Sequence, residues 1–297
     1  MAFASRKLFI RFLEERELFM DFLIALLYGI IEGITEWLPV SSTGHLIIFE
    51  NILPFRAVSD DFLDMFRVVV QLGAILAVVT IYWNKIFPFD FSKERKSLIK
   101  PEIFSLWFKI VVACIPAAVV GLLFDDKLEA VFYNPLTVAI SLAVFGVVFL
   151  VVESINKNKS PTTLSPYNIT YKAAVIIGAF QLLAAIFPGT SRSGATIIGA
   201  LLIGISRTAA AEFTFFLGIP VMFGASLLKI AKFVLDGNSM TSNEWMIMLV
   251  GFVVAYVVSV AAIRGLMAYV KKHDFKFFGW YRIVLAIAVL VYFWVVK

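Results

Sequence analysis

Six apolar stretches dominate the chain, at approximately 66–83, 103–124, 136–152, 213–235, 246–270 and 279–296. Each is long enough, or nearly so, to cross a bilayer as a single helix, which takes roughly 17–25 residues. Apolar residues make up 61% of the 297 and charged residues only 16%, against about 45–50% and about 25% in a soluble domain. That excess cannot be hidden in one soluble core, because much of any fold's surface must face water. Lipid is the remaining solvent, and the chain reads as an all-α polytopic membrane protein.

Two further apolar regions are interrupted. Residues 21–54 are broken by Glu32, Glu36, Pro39 and the run Ser41-Ser42-Thr43-Gly44-His45, and residues 173–205 by Gln181, Pro188 and Gly189-Thr190-Ser191-Arg192-Ser193-Gly194. About ten apolar residues remain on each side of either break, too few for a span and suited to a re-entrant hairpin. When Glu32 is aligned with Gln181, Pro39 falls on Pro188 and Ser42 on Ser191, and Leu72-Gly73 echoes Leu217-Gly218 downstream. The expected organisation is a single membrane domain of two repeats, 20–160 with hairpin 21–54 and 165–297 with hairpin 173–205. Six full spans then accompany the two hairpins.

Loop charges set the orientation. Loop 84–102 carries Lys85, Lys93, Arg95, Lys96 and Lys100 and belongs to the cytoplasm by the positive-inside rule. Counting outward puts 125–135, with Asp125, Asp126 and Glu129, outside, and 153–172, with Lys157, Lys159 and Lys172, inside. From the other end, 271–278 holds Lys271, Lys272 and Lys276 and is inside, so 236–245, which has no Lys or Arg, is outside. The two countings agree only if each broken region enters and leaves on one side, the first from outside and the second from inside. That is an inverted-topology repeat. Residues 1–19, which contain Arg6, Lys7, Arg11 and Arg16, conflict with this count unless they are an extension upstream of a working start at Met20. A surface helix is the other reading of that segment.

The breaks carry the chemistry. Glu32 and Glu36 share a helix face at i, i+4. Such a pair fits a headgroup-facing position, a proton relay, or a hard divalent cation such as Mg²⁺ or Ca²⁺. His45, beside hydroxyls and close to both carboxylates, suits a general acid/base or a nucleophile toward phosphorus. Arg192 in a Gly/Ser turn at a helix N-terminus offers a guanidinium fork, hydroxyls and backbone N–H groups to an anion; a snorkelling arginine is the plainer reading. Carboxylates, hydroxyls and imidazole from one hairpin, with arginine and N–H donors from the other, describe phosphoryl transfer or hydrolysis on a lipid-borne phosphate. Arg207 and Glu212 could pair at a helix start, and Glu153 reads as interfacial.

The formal charge of +5 is explained by loop lysines and arginines, so no nucleic-acid partner is expected. One cysteine, Cys114, permits no intramolecular disulfide. His273 is read as a solvated loop residue.

The run Glu32-Gly33-Ile34-Thr35-Glu36-Trp37-Leu38-Pro39-Val40-Ser41-Ser42-Thr43-Gly44-His45 resembles the first signature of the undecaprenyl-diphosphate phosphatase family of the bacitracin-resistance type. Pro188-Gly189-Thr190-Ser191-Arg192-Ser193-Gly194 is similar to its second, and the likeness covers essentially all of 20–297. The resemblance implies a bacterial plasma-membrane hydrolase that converts undecaprenyl diphosphate to the monophosphate and inorganic phosphate. That reaction recycles the carrier for peptidoglycan synthesis, and overproduction confers bacitracin resistance. It further implies re-entrant helices, a divalent-metal requirement and an extracytoplasmic site. On the matching positions, Glu32 and Glu36 would hold the metal or act as acid/base. Ser42 and Thr43, with Ser41, would bind phosphate or assist attack, and His45 would be nucleophile or base. Arg192 would bind the diphosphate with Ser191 and its neighbours Thr190, Ser193 and Gly194. The nucleophile is left open among His45, a Ser/Thr hydroxyl and water, and the oligomeric state is left open, with a homodimer as one candidate.

A type-2 phosphatidic-acid phosphatase is excluded, since no second histidine follows Arg192 at the spacing that class needs. The rival from another class is a polyprenyl-phosphate transporter, because inverted repeats with broken helices also build carriers. The set Glu32, Glu36 and His45 discriminates: a carrier needs charge compensation, whereas hydrolysis also needs an acid/base and a nucleophile.

Overall fold

The computed structural model describes residues 2–91 and 98–296, without the side chains of 2–14, 125, 126 and 129. The orientation expectations placed on Arg6, Lys7, Arg11, Lys93, Arg95, Lys96, Asp125, Asp126 and Glu129 lie outside the described residues. Among those described, the chain is helical, with two isolated bridges, Phe89–Ile99 and Thr163–Ile205, and no longer strand. The first half comprises α1 (Ala2–Thr35), α2 (Ser42–Ile52), α3 (Asp60–Val69), α4 (Gln71–Ile86), α5 (Pro101–Phe132) and α6 (Pro135–Asn156). The second comprises α7 (Tyr171–Ile186), α8 (Arg192–Leu202), α9 (Arg207–Leu235), α10 (Ser242–Val270) and α11 (Lys276–Val295).

Seven segments are long and apolar enough to cross a membrane: Glu15–Thr35, Asp60–Ile86, Pro101–Phe124, Pro135–Asn156, Arg207–Leu235, Ser242–Val270 and Lys276–Val295. The chain is thus a multi-pass membrane protein. Six such segments were expected. The seventh is the first arm of the 21–54 region, which the sequence reading treated as too short. Carboxylates do not end a helix, and no proline precedes Pro39, so the helix continues to Thr35. It also begins upstream at Ala2, so residues 2–19 belong to α1 rather than forming a separate element. The corresponding arms of the second break stay short, at 16 residues for α7 and 11 for α8.

The packing is reciprocal between the halves. α1 lies on α10 while α7 lies on α5, and α2 touches α11 while α8 touches α6. α6 and α11 pack on one another, as do α4 and α9. Both of these pairs run antiparallel. Gly146 meets Gly279, whereas Leu142, earlier in α6, lies in one cluster with Ala286 and Val289, later in α11. Lys85 near the end of α4 bonds Glu212 near the start of α9 at 2.8 Å, whereas the Val68 carbonyl accepts from Ser226 farther along α9 at 3.1 Å.

The same contacts correct one expected pairing. Glu212 binds Lys85 and not Arg207. Arg207 instead forms a two-pronged ion pair with Glu153, which also accepts from the Phe275 backbone N–H at 3.0 Å. Glu153 is therefore a buried staple rather than an interfacial residue. The largest apolar core surrounds α8 and includes Trp37, Ile197, Phe213, Phe215 and Phe216. Outward-facing Leu122, Leu249, Val257 and Trp294 are exposed, as lipid contact requires.

Candidate active site

Each broken region ends one helix and starts another through the same local device. Ser41 caps α2 and Ser191 caps α8, and each side-chain oxygen accepts from the N–H of the glycine three residues on, Gly44 or Gly194, at 3.2 Å. Ser41 (φ 74°) and Ser191 (φ 68°) are the only non-glycine residues with positive φ among those described. Such strain clusters at functional sites. The caps therefore pair Ser41 with Ser191, which corrects by one position the sequence alignment of Ser42 on Ser191. The second turn has one more residue after its proline, and the periodicity of the flanking helices could not reveal it.

The two breaks meet through Arg192. One of its terminal nitrogens, Nη2, donates to Glu36 Oε1 at 3.0 Å, and the other, Nη1, to the Thr214 carbonyl at 3.0 Å. The guanidinium sits 5.6 Å from the centre of the Trp37 ring. It lies against Gly218, where any Cβ would come within 2.7 Å of Nη1. Glu36 Oε2 accepts from the Ser42 hydroxyl at 3.2 Å. One carboxylate thus joins the arginine of one break to a hydroxyl of the other. Arg192 is not a snorkelling residue: it is held inside the protein by the turn of the first break and by α9.

Glu32 lies one turn before Glu36, and the helical bond from the Glu36 N–H to the Glu32 carbonyl, 3.0 Å, keeps both on one face. Its side chain is fully buried and neither carboxylate oxygen has a hydrogen-bond partner. A buried carboxylate in that condition calls for a proton or a cation. The breaks bring together two carboxylates, Glu32 and Glu36, and one guanidinium, Arg192, which pairs with Glu36. A diphosphate entering such a site adds negative charge that the protein does not balance, so a divalent cation fits. Two carboxylates plus substrate oxygens and water is a donor set that Mg²⁺ accepts. Among the described residues no group of three or more His, Cys, Asp or Glu stands ready to hold a metal, so the protein's share would be these two.

Arg282 was missed by the sequence reading. It is fully buried on α11 and donates to the Pro39 carbonyl at 3.3 Å, the Gly189 carbonyl at 2.9 Å and the Thr190 carbonyl at 2.6 Å. One side chain therefore clamps both turns. A lone arginine in an otherwise apolar stretch was the available signal. Trp37, Thr214 and Gly218 carried none, because their roles depend on what packs against them.

The other expected site residues are placed as follows. Ser193 donates to the Leu38 carbonyl at 3.3 Å and shares a hydrogen bond with Ser191 at 3.1 Å, tying the two turns a second time. The Thr190 hydroxyl is buried without a partner, as are both amide atoms of Gln181, the counterpart of Glu32. Thr43 is half-buried on the first turn of α2. Both ring nitrogens of His45 have partners other than Arg192: its Nδ1 lies 2.7 Å from the Ser41 carbonyl and its Nε2 2.7 Å from the Tyr281 hydroxyl. All eight buried side-chain polar atoms without a partner, among the described residues, belong to the breaks, to Gln181 or to the clamp Arg282. Unsatisfied groups gathered at one locus mark where an outside polar partner binds.

Residues 25–288 match the family described as Bacitracin resistance protein BacA. The chain belongs to this family. The BacA match takes in both breaks, the clamp on α11 and every candidate site residue. Among curated relatives, an undecaprenyl-diphosphatase of Desulfitobacterium hafniense is 58% identical over 91% of this chain and 95% of its own. Undecaprenyl-diphosphatase 1 of Clostridium acetobutylicum is 56% identical over 93% and 99%. An undecaprenyl-diphosphatase of Enterococcus faecalis is 55% identical over 92% and 97%.

Proposed function

We propose that the chain hydrolyses undecaprenyl diphosphate to undecaprenyl phosphate and inorganic phosphate in the bacterial plasma membrane, returning the carrier to peptidoglycan synthesis and conferring bacitracin resistance. The observation that carries this reading is the junction of Arg192, Glu36 and Ser42, which puts an anion-binding guanidinium and a carboxylate-bound hydroxyl at one point. The names of the relatives support hydrolysis over the carrier alternative.

In this reading the N-termini of α2 and α8 and the Arg192 fork bind the diphosphate oxygens and stabilise charge as it develops on the phosphoryl group. Thr43, Thr190, Ser191 and Ser193 add hydroxyls, while the Gly194 backbone N–H, held by the Ser191 cap, shapes the turn. Glu36 orients the Ser42 hydroxyl and is placed to take its proton, or that of a water, as the terminal phosphorus is attacked. The bond to the bridging oxygen then breaks and the polyprenyl phosphate leaves; attack by water gives inorganic phosphate directly, whereas attack by Ser42 leaves a phosphoserine that a water, deprotonated in turn by Glu36, hydrolyses to inorganic phosphate and free serine. Glu32 and Glu36 would hold a divalent cation, which when bound neutralises phosphate charge.

The antiparallel packing of α6 with α11 and of α4 with α9 supports the inverted repeat, since equivalent helices related by an in-plane two-fold axis run in opposite directions. Loop charge supports a site open to the extracytoplasmic side. The test is phosphate release from undecaprenyl diphosphate by purified protein in detergent, with Mg²⁺ or with chelator. Metal-dependent release that falls at least about 100-fold in folded Arg192→Ala is expected. Intact wild type that releases no phosphate with any divalent cation overturns the hydrolase reading and favours a carrier.

A further inference from the structure

His45 is anchored at both ring nitrogens, and one anchor comes from a helix 236 residues away in sequence. The Ser41 carbonyl can only accept, so the hydrogen of a neutral imidazole resides on Nδ1, 2.7 Å away. Nε2 is then an acceptor, and its partner is the Tyr281 hydroxyl at 2.7 Å. The two rings lie nearly parallel, 15° apart, with centres 5.6 Å apart. Tyr281 immediately precedes Arg282, so the turn of α11 that clamps both breaks by their carbonyls also holds the imidazole of the first.

We propose that Tyr281 is a positioning residue that fixes His45 in its Nδ1–H tautomer with the Nε2 lone pair capped by the phenol. This rests on the hydrolase reading. Two consequences separate it from a simple helix–helix contact. With Nε2 covered by the Tyr281 O–H, His45 does not attack phosphorus directly; it acts as an oriented imidazole anchored to the Ser41 carbonyl at the start of α2. The effect of Tyr281 on turnover also passes entirely through His45, since neither residue bonds Arg192 or Glu36.

The test combines spectroscopy with kinetics on the full-length protein. His45 and His273 are the only two histidines, so selective ¹⁵N-histidine labelling in detergent resolves the tautomer of each, with His273→Gln assigning the signals. Wild type is expected to show His45 as Nδ1–H with a hydrogen-bonded Nε2, and Tyr281→Phe to show a mixture of tautomers. In the same variant kcat is expected to fall about fivefold to tenfold, the worth of one hydrogen bond, with KM unchanged. Adding Tyr281→Phe to His45→Gln is expected to cost nothing further. A wild-type His45 protonated on Nε2 alone overturns the proposal without reference to any variant. So does Tyr281→Phe with unchanged kcat, or with the same loss in the His45→Gln background. Wild type that shows the expected tautomer yet releases no phosphate supports the hydrogen bond and overturns the hydrolase reading, so the two failures are distinct.

Discussion

Arg192 shows how little room a functional side chain has in a packed membrane interior. Each of its terminal nitrogens holds one oxygen partner, Glu36 or the Thr214 carbonyl, its Nε holds none, and Gly218 leaves the space it lies in. Gly218→Ala places a methyl 2.7 Å from Nη1 and 2.9 Å from Cζ, so the whole guanidinium must move out of its observed position while the fold is kept. The expected outcome is a kcat/KM reduced about 10- to 100-fold, as small misplacements of positioning groups produce, with a melting temperature near that of wild type. A variant with full activity would show that Arg192 does not need its observed position. At this scale the sequence singled out Glu32, Glu36 and Arg192 through the cost of placing such groups in lipid, and Ser42 through the family resemblance. It gave no hint that Glu36 joins Ser42 to Arg192, because the contact with the arginine spans 156 positions.

Short capped helices and one clamp define the site at the scale of elements. Serine caps α2 and α8 with a strained positive φ, and Gly189, at φ 90°, has its α-carbon face against the Val138 carbonyl, where a Cβ would fall at 2.6 Å. Arg282 supplies the donors that both turns lack. Replacement by methionine leaves the carbonyls of Pro39, Gly189 and Thr190 buried without that donor, each at about 1–3 kcal/mol. Arg282→Met is therefore expected to melt well below wild type in detergent, and Arg282→Lys to melt between the two, since it keeps a donor but not the fork. Equal melting temperatures for all three would rule out the clamp. The helix count was misjudged in the sequence at α1 because Glu32 and Glu36 were read as an interruption. Polarity and helix breaking are different properties, and only the turn before Pro39 ends the helix.

For the molecule as a whole, the reciprocal packing of the two halves and the loop charges make one prediction about sidedness. In a Cys114→Ser background, a cysteine at Ser239 in the 236–245 loop should react with a membrane-impermeant maleimide on intact cells. A cysteine at Lys272 in the 271–278 loop should react only after permeabilisation. Both positions are exposed, so accessibility reports the side of the membrane and not burial. The reverse pattern would turn the site toward the cytoplasm. The ion pairs also act at this scale. Arg207 with Glu153 and Lys85 with Glu212 link helices of different halves, which local sequence spacing could not show and which it misassigned as Arg207 with Glu212.

By itself the sequence determined the solvent, the helical class, the two breaks and the residue types that give phosphate chemistry. These follow from composition and from the energy of burying charge, which act wherever the chain goes. Tertiary structure alone decided that Arg282 clamps both turns, that Tyr281 faces His45, that Ser41 and not Ser42 is the counterpart of Ser191, and that Glu36 is shared between a hydroxyl and a guanidinium. Each of these is a contact between segments far apart in the chain or a backbone angle set by a turn. Neither leaves a periodic or compositional trace, because the energy that fixes it comes from the partner and not from the residue.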